Sequence, residues 1–278
     1  MSRTPQLVEY RGNCHCGAFK FKLKVPEIKE AEACTCSMCY KNGYLWAFPK
    51  PDKCWEFTVV KGDENTTLKN YLFGKKMMAH KFCPSCGTSV MEVRMPHSTV
   101  VNAPSMAINI RTLEDVDFDS VKVNTFDGAS ILQPPYQIPE PVAAGPVPEG
   151  TTSYHGNCHC GAVAYTLLSG KKISEAASCN CSICWRDAAL WIYPESKAVT
   201  FKGLESAVEY TFAKGGSHHG FCKICGVSVY ERFVGTHQDN KSALNVRTMN
   251  DLDLAALEIE QLDGKSLLPA YDVWGTEE

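Results

Sequence analysis

The chain has little excess charge and no long hydrophobic run. Its 278 residues carry a formal net charge of −3, and the sequence pI is about 6.3. A general nucleic-acid or anionic-membrane binder would carry a clear excess of Lys and Arg, so neither partner is expected. No apolar run approaches the roughly 18–20 residues that span a bilayer, and the opening MSRTPQLVEYRG lacks the apolar core of a signal peptide. We therefore expect a soluble, intracellular and cytoplasmic protein.

Helical patterning is also scarce. Residues Ala18–Val25 alternate apolar side chains with lysines, which is typical of a strand with one buried face. Val163, Tyr165 and Leu167 repeat this pattern more weakly. The short stretches TVVKG, NYLF, VKVNTF and TSVMEVR also indicate strands, and only Leu252–Ile259 is a candidate for a short turn or helix. The sequence predicts a mainly β fold.

Cysteine, by contrast, is abundant, with 15 in the chain. In an intracellular protein, cysteines are more often metal ligands or redox thiols than disulfides; a disulfide framework is the alternative. Fourteen of them form two series with the same order: C-x-C, then C-x-C-x-x-C, then C-x-x-C. The remaining one, Cys54, has no counterpart, and we interpret it as a small buried or half-buried hydrophobic residue.

The two cysteine series belong to a longer internal repeat. GNCHCGA occurs at 12–18 and again at 156–162. Four further segments of copy one have counterparts in the same order in copy two: CTCSMC with CNCSIC, FCPSCGTSV with FCKICGVSV, INIRT with LNVRT, and FDG with LDG. We therefore predict a tandem duplication of one small domain, with copies at 1–132 and 151–278. Segment 133–150 contains six prolines, which favours an extended spacer. The alternative is an ordered arm that packs along one domain.

Seven cysteines per copy are three more than one tetrahedral zinc requires. Glycine follows the last cysteine of each C-x-C and of each C-x-x-C. Such a glycine permits the positive φ of a tight turn whose N–H groups point at the sulfurs. These pairs are predicted to form one closed site per copy: Cys14, Cys16, Cys83 and Cys86, and Cys158, Cys160, Cys222 and Cys225.

The cysteines left over are contiguous. Three ligands with a vacant fourth position are the arrangement of a zinc that handles substrate or water. The candidate catalytic and metal-binding residues are Cys34, Cys36 and Cys39 in copy one, and Cys179, Cys181 and Cys184 in copy two. Up to four zinc ions per chain follow. A four-cysteine ribbon made from the C-x-x-C pairs is the competing partition.

Zinc held by three thiolates has a net charge of −1, so nearby cations or N–H donors are needed to hold an anionic fourth ligand. Lys41 and Arg186 follow the triads, and Arg111 and Arg247 lie in the repeated N-x-R-T segment. These four are the candidate cofactor-binding residues, and solvated surface charge is the alternative for each.

Several other repeated side chains are interpreted as structural. His80 and either His218 or His219 are surface or core-edge histidines, with a fourth metal ligand as the alternative. The aromatic residues after the triads are interpreted as core residues rather than a substrate platform: Trp46, Phe48, Trp191 and Tyr193.

The motifs G-x-C-H-C-G, C-x-C-S-x-C and F-C-x-x-C-G, in this order and spacing, resemble the glutathione-dependent formaldehyde-activating enzyme family, which includes centromere protein V. The resemblance covers both copies, and copy two is particularly similar to the centromere protein V branch. It implies a small β-tent fold, a structural zinc on the outer cysteine pairs and a second zinc on the central triad. It also implies glutathione and formaldehyde as the reactants, with S-(hydroxymethyl)glutathione as their adduct.

The leading hypothesis is a zinc-dependent carbon–sulfur lyase of thiol–carbonyl adducts. One alternative is a non-enzymatic zinc scaffold or protein-binding module, and another is a zinc enzyme for a different small electrophile in a biosynthetic pathway. The residues after the triads, YKNGYLW and WRDAALW, differ between the copies, which argues against a shared substrate pocket.

Overall fold

The computed structural model describes residues 6–48, 55–99, 104–267 and 269–275. Contacts between Cα atoms divide the chain into two compact units. Unit 1 is Met1–Tyr136 with Asp272–Glu278, and unit 2 is Gln137–Tyr271. Within the described ranges, no helix is long and apolar enough to cross a membrane. Cys54 and the interpretation attached to it lie outside the described residues.

Unit 1 contains a three-stranded and a seven-stranded sheet. The three-stranded sheet has the order β1-β2-β5, and the seven-stranded sheet has the order β10-β3-β4-β9-β8-β7-β6. The elements are β1 Leu7–Asn13, β2 Lys20–Pro26, β3 Glu30–Cys34, α1 Ser37–Asn42, β4 Trp46–Ala47, β5 Glu56–Lys61, β6 Lys69–Tyr71, β7 Met78–Phe82, β8 Ser89–Arg94, β9 Met106–Asn109, β10 Lys122–Phe126 and α2 Gly128–Ile131.

Unit 2 repeats this plan, with sheets ordered β11-β12-β15 and β16-β17-β18-β19-β14-β13-β20. Its elements are β11 Thr152–Asn157, β12 Ala164–Ser169, β13 Glu175–Cys179, α3 Ser182–Asp187, β14 Leu190–Ile192, β15 Val199–Lys202, β16 Ala207–Tyr210, β17 Ser217–Cys222, β18 Ser228–Phe233, β19 Ser242–Asn245 and β20 Glu258–Leu262. The prediction of a mainly β, internally duplicated fold is confirmed.

Strand β2 shows why the alternating pattern folds as it does. Phe21, Leu23 and Val25 are buried, with exposed fractions of 0, 0 and 3%, while the intervening lysines are only half-buried. Burial of this face supplies the hydrophobic free energy that holds the small sheet against the rest of the unit. The candidate turn at Leu252–Ile259 contains a single 3-10 turn, Leu254–Ala256, followed by the start of β20.

The corresponding strand of unit 2 is buried on both faces. Thr166 is 1% exposed; its hydroxyl donates to the carbonyl of Val142 at 2.6 Å and lies 3.0 Å from Nδ1 of His155. Val142 belongs to the proline-rich segment, so part of that segment packs along unit 2. The weaker alternation of the sequence at β12 reflects this second covered face.

One parallel strand pair in each large sheet brings distant motifs together. Strand β10 pairs in parallel with β3 so that Phe126 lies opposite Cys34, and β20 pairs in parallel with β13 so that Leu262 lies opposite Cys179. The residues after β10 and β20 therefore meet the residues after β3 and β13, where the two cysteine triads begin.

Candidate metal centres

Two clusters of four thiols join the ends of the cysteine series. Cys14, Cys16, Cys83 and Cys86 have sulfurs within 4.8 Å of one another, as do the sulfurs of Cys158, Cys160, Cys222 and Cys225. Neighbouring sulfurs are 3.6–3.7 Å apart. A tetrahedral zinc with Zn–S bonds of about 2.3 Å places its sulfurs about 3.8 Å apart, so both clusters fit the ion.

Tight turns shape these four-thiol clusters. Gly17, Gly87, Gly161 and Gly226 have φ values between +68° and +78°, which is the left-handed region that glycine enters at no steric cost. Backbone N–H groups then point at the sulfurs: that of Phe19 donates to Cys14 Sγ and that of Val163 to Cys158 Sγ, both at 3.3 Å. N–H donors of this kind favour the thiolate form that binds a metal.

The remaining thiols form two clusters of three. Cys34, Cys36 and Cys39 lie together, as do Cys179, Cys181 and Cys184, and all fourteen described cysteines are free. Cys83 and Cys86 lie with Cys14 and Cys16 rather than with Cys36 and Cys39, so the structure does not assemble the ribbon partition. In each triad, the third thiol is buried and the first is half-buried.

Electrostatics concentrate negative charge on the first thiol of each triad. Hydrogen bonds from Cys36 and Cys39 lower the pKa of Cys34 to about 3, and the N–H of Gly128 adds to this effect. Hydrogen bonds from Cys181 and Cys184 likewise lower the pKa of Cys179 to about 2. The backbone N–H two residues on donates to this first sulfur at 3.4 Å in both triads. These donors favour the thiolate form of the half-buried first sulfur.

Side chains that the sequence reasoning assigned to the core also contact the triads. Trp46 Nε1 donates to Cys39 Sγ at 3.4 Å, and Trp191 Nε1 donates to Cys184 Sγ at 3.3 Å. Both tryptophans are buried, so they are core aromatics and also N–H donors to a candidate ligand. Phe48 and Tyr193 are half-buried, and Tyr193 packs against the hydrophobic cluster that contains Cys184.

The glycine of the repeated D-G dipeptide is a site residue that sequence reasoning missed. A Cβ on Gly128 would lie less than 3.0 Å from Cys34 Sγ, and one on Gly264 less than 3.0 Å from Cys179 Sγ. Only glycine permits this contact of backbone and sulfur. The preceding aspartates anchor the loop, since Asp127 accepts a hydrogen bond from Thr35 and Asp263 accepts one from Asn180. The recurrence of FDG as LDG was the available signal.

Comparison with known protein families identifies the family of this chain. The sequence profile described as glutathione-dependent formaldehyde-activating enzyme matches residues 9–126 and 153–264. The chain belongs to this family. The family fits glutathione and formaldehyde adduct chemistry, and the cysteine clusters could bind metal. The chain is also similar to a Rhodobacter sphaeroides protein of known crystal structure, with 25% sequence identity and a TM-score of 0.35. The match covers 38% of this chain and 98% of the Rhodobacter sphaeroides chain.

The candidate cations of this chain are engaged inside each unit. Arg111 Nε donates to the carbonyl of Gly43 at 2.9 Å, and Arg247 Nε donates to that of Ala188 at 2.7 Å. Gly43 and Ala188 are the left-handed residues that end α1 and α3. The two arginines therefore support the helix ends that follow the triads, and their anion-binding role stays a prediction.

The helix cations Lys41 and Arg186 are buried, with exposed fractions of 5 and 6%. Arg186 donates to the carbonyl of Ser182 at 3.0 Å, and its guanidinium carbon lies 4.9 Å from the ring centroid of Tyr271. Lys41 Nζ lies 6.0 Å from the ring centroid of Tyr136. Neither is a solvated surface charge, and their predicted role toward an anionic ligand is untested.

Two carboxylates beside the triads, buried Glu231 and half-buried Glu92, were not predicted. His219 Nδ1 lies 2.8 Å from Glu231 Oε1, and Cys184 Sγ donates to that same oxygen at 3.7 Å. In unit 1, His80 Nε2 lies 3.7 Å from Glu92 Oε2. Burial raises the pKa of Glu92 to about 8, with a contribution from Cys34. His218 lies elsewhere, with Nδ1 3.1 Å from Glu209 Oε2.

Proposed function

We propose that the protein is a zinc-dependent carbon–sulfur lyase that acts on the adduct of glutathione and formaldehyde. Each of the two compact units would carry one closed and one open metal site. The observation that carries the proposal is the three-thiol cluster, which supplies one ligand fewer than a closed tetrahedral site. Family membership names glutathione and formaldehyde as the reactants.

The donor sets fit zinc, because soft thiolates in tetrahedral arrangement select it over harder divalent ions. In the triads the metal ligands would be Cys34, Cys36 and Cys39, and Cys179, Cys181 and Cys184. When bound, zinc supplies Lewis acidity and stabilises thiolates at neutral pH. The tryptophan N–H donors and the D-G glycines hold the triad sulfurs in place from outside the ligand set.

The proposed reaction balances without a further reactant. The sulfur of glutathione donates an electron pair to the carbonyl carbon of formaldehyde, forming the carbon–sulfur bond. The π pair of the carbonyl moves to oxygen, which takes up one proton, while the thiol releases one. The product is S-(hydroxymethyl)glutathione. In the lyase direction, the hydroxyl loses its proton, the carbonyl reforms and the thiolate leaves.

The proposal is tested by metal stoichiometry and turnover in the same preparations. We expect about four zinc ions per chain by native mass spectrometry and catalysed formation of the adduct. The double variant Cys36→Ser/Cys181→Ser should keep about two zinc ions and lose turnover, because only the triads are altered. Cys54→Ser serves as the control. A folded double variant with undiminished turnover would overturn the proposal, and a wild-type protein without turnover would favour the scaffold alternative.

A further inference from the structure

The two units differ at one position beside their triads. Five residues after the last triad cysteine, unit 1 has Tyr44 and unit 2 has Ala189; both are 2% exposed. Each position immediately follows the left-handed residue that ends the helix, and each lies two residues before the tryptophan that donates to the triad. The local backbone is therefore equivalent, and only the side chain changes.

In unit 1, the phenol of Tyr44 occupies a polar position. Its hydroxyl donates to Ser89 Oγ at 2.9 Å. Its ring stacks on His80 with 5.8 Å between ring centroids and lies 4.5 Å from the ring of Trp46. The side chain thus fills the space bounded by Ser89, His80 and the triad-contacting tryptophan.

In unit 2, the counterpart of Ser89 is left without a partner. Ser228 is 6% exposed, and its Oγ has no hydrogen-bond partner within the part of the chain that the structure describes. A buried hydroxyl without a partner costs free energy, so such groups usually mark a bound water or ligand. The tyrosine that satisfies this hydroxyl in unit 1 has no equivalent here.

A register shift between β17 and β18 places Ser228 on the sheet face that carries His219 and Glu231. The register between β17 and β18 shifts so that Phe221 pairs with Ser228 while His219 pairs with Glu231. Phe221 and His219 are two residues apart on one strand and share a face, so Ser228 and Glu231 share that face too. Without the shift, residues 228 and 231 would point to opposite sides. Ser228, His219 and Glu231 therefore line one buried patch, and Glu231 contacts Cys184.

We propose that this patch of unit 2 is the subsite that receives the hydroxyl of a hydroxymethyl adduct or of hydrated formaldehyde, and that Tyr44 occupies the same position in unit 1. The inference rests on the proposed function. The serine hydroxyl can donate to the ligand oxygen, and the carboxylate can accept its O–H. The phenol of Tyr44 takes the place of that ligand hydroxyl. The two copies consequently differ in role: unit 2 turns over the adduct, and the triad of unit 1 is shielded by its own side chain.

Matched serine variants test this division with little change in volume. Ser228→Ala should lower kcat/KM about tenfold, in line with loss of one buried hydrogen bond to the ligand, while Ser89→Ala should leave it within about twofold. Ala189→Tyr should abolish turnover by filling the subsite. Equal effects of the two serine variants would overturn the inference, even if Ala189→Tyr does not fold.

A binding measurement separates this inference from the proposed function. The protein is loaded with Co²⁺, and its visible spectrum is titrated with an equilibrated mixture of glutathione and formaldehyde. The apparent Kd should rise about tenfold in Ser228→Ala and stay unchanged in Ser89→Ala. If the two variants differ from wild type in Kd as expected but wild type shows no turnover, the proposed function fails and the subsite stands. If turnover occurs but the serine variants bind alike, the subsite fails and the proposed function stands.

Discussion

Trp191 donates its indole N–H to the sulfur of Cys184 across 3.3 Å of the buried interior of unit 2. The same contact recurs between Trp46 and Cys39 in unit 1. In each unit, the third triad cysteine is almost fully buried, away from water that could solvate a thiolate. The indole supplies the missing donor and fixes the direction of the sulfur. The tryptophan is thus an outer-sphere partner of a candidate metal ligand as well as a core residue.

Replacement of either tryptophan by phenylalanine should weaken metal retention at the neighbouring triad. Trp191→Phe keeps an aromatic ring in the core but removes the N–H donor, and loss of an outer-sphere partner typically costs 10–100-fold in metal affinity. Zinc release to a competing chelator, followed by native mass spectrometry, measures the effect. Trp274→Phe is the control, because the indole of Trp274 donates to Asn13 rather than to a thiol. Equal retention in all three proteins would contradict the assignment.

Alanine at Gly128 or Gly264 should expel the metal from one triad while leaving the four-thiol sites occupied. The new Cβ would overlap the sulfur of Cys34 or Cys179, and both partners are held by the parallel pairing of β10 with β3 and of β20 with β13. Each single variant should lose about one zinc ion per chain by native mass spectrometry. Gly170→Ala should change nothing, since a Cβ there meets no atom within 4 Å. Full zinc content in Gly264→Ala would show that this contact is not required.

The contrast between the outer clusters and the D-G glycines shows what the sequence can and cannot predict. The partition of the cysteines was predictable because glycine and cysteine spacing are local signals, and the structure assembles those same groups. The contact of Gly128 with Cys34 depends on the pairing of β10 with β3, which joins residues about 90 positions apart, and no local pattern encodes that register.

The carboxylates beside the triads illustrate the same limit. Glu92 and Glu231 lie in segments that read as ordinary alternating strands, in which a glutamate is expected to face water. Glu231 is nevertheless buried and Glu92 half-buried, because β18 and β8 are inner strands of the large sheets. The Tyr44 and Ala189 difference was visible in the sequence, but its meaning required the position of Ser228, which only the register shift reveals.

Substitution of Ala188 by glycine should stabilise unit 2. Ala188 ends α3 with φ of +50°, while Gly43 ends α1 with φ of +53°. An L-residue in this region carries a steric cost that glycine avoids, partly offset by the greater entropy of unfolded glycine, so a gain of about 0.5–1 kcal/mol is expected. The urea midpoint of unfolding measures it. The matched reverse change, Gly43→Ala, should lower the stability of unit 1, and a stabilised Gly43→Ala would contradict the argument.

The Glu209–Arg232 ion pair should make unit 2 acid-sensitive. The Arg232 guanidinium donates to both carboxylate oxygens of Glu209, at 3.0 and 2.6 Å, and this pairing lowers the pKa of Glu209 despite the opposing effect of burial. Tyr230 and His218 also contact the carboxylate. A carboxylate with a lowered folded-state pKa contributes stability that is fully present above its unfolded pKa and is lost as the pH falls through the folded value.

Glu209→Gln should therefore lower the free energy of unfolding at pH 7 by about 0.5–1 kcal/mol, a modest figure because the Arg232 side chain is 52% exposed. The difference from wild type should shrink as the pH falls below about 4, and it should also shrink in high salt. Urea unfolding at each pH measures the difference in free energy of unfolding between the variant and wild type. Acid releases metal from both proteins equally, so it does not contribute to this difference. Glu205→Gln, at an exposed glutamate of the same unit, should match wild type throughout. A Glu209→Gln deficit that does not shrink at all as the pH falls through the acid range would indicate lost packing rather than lost charge, because a protonated carboxyl and an amide carry the same charge.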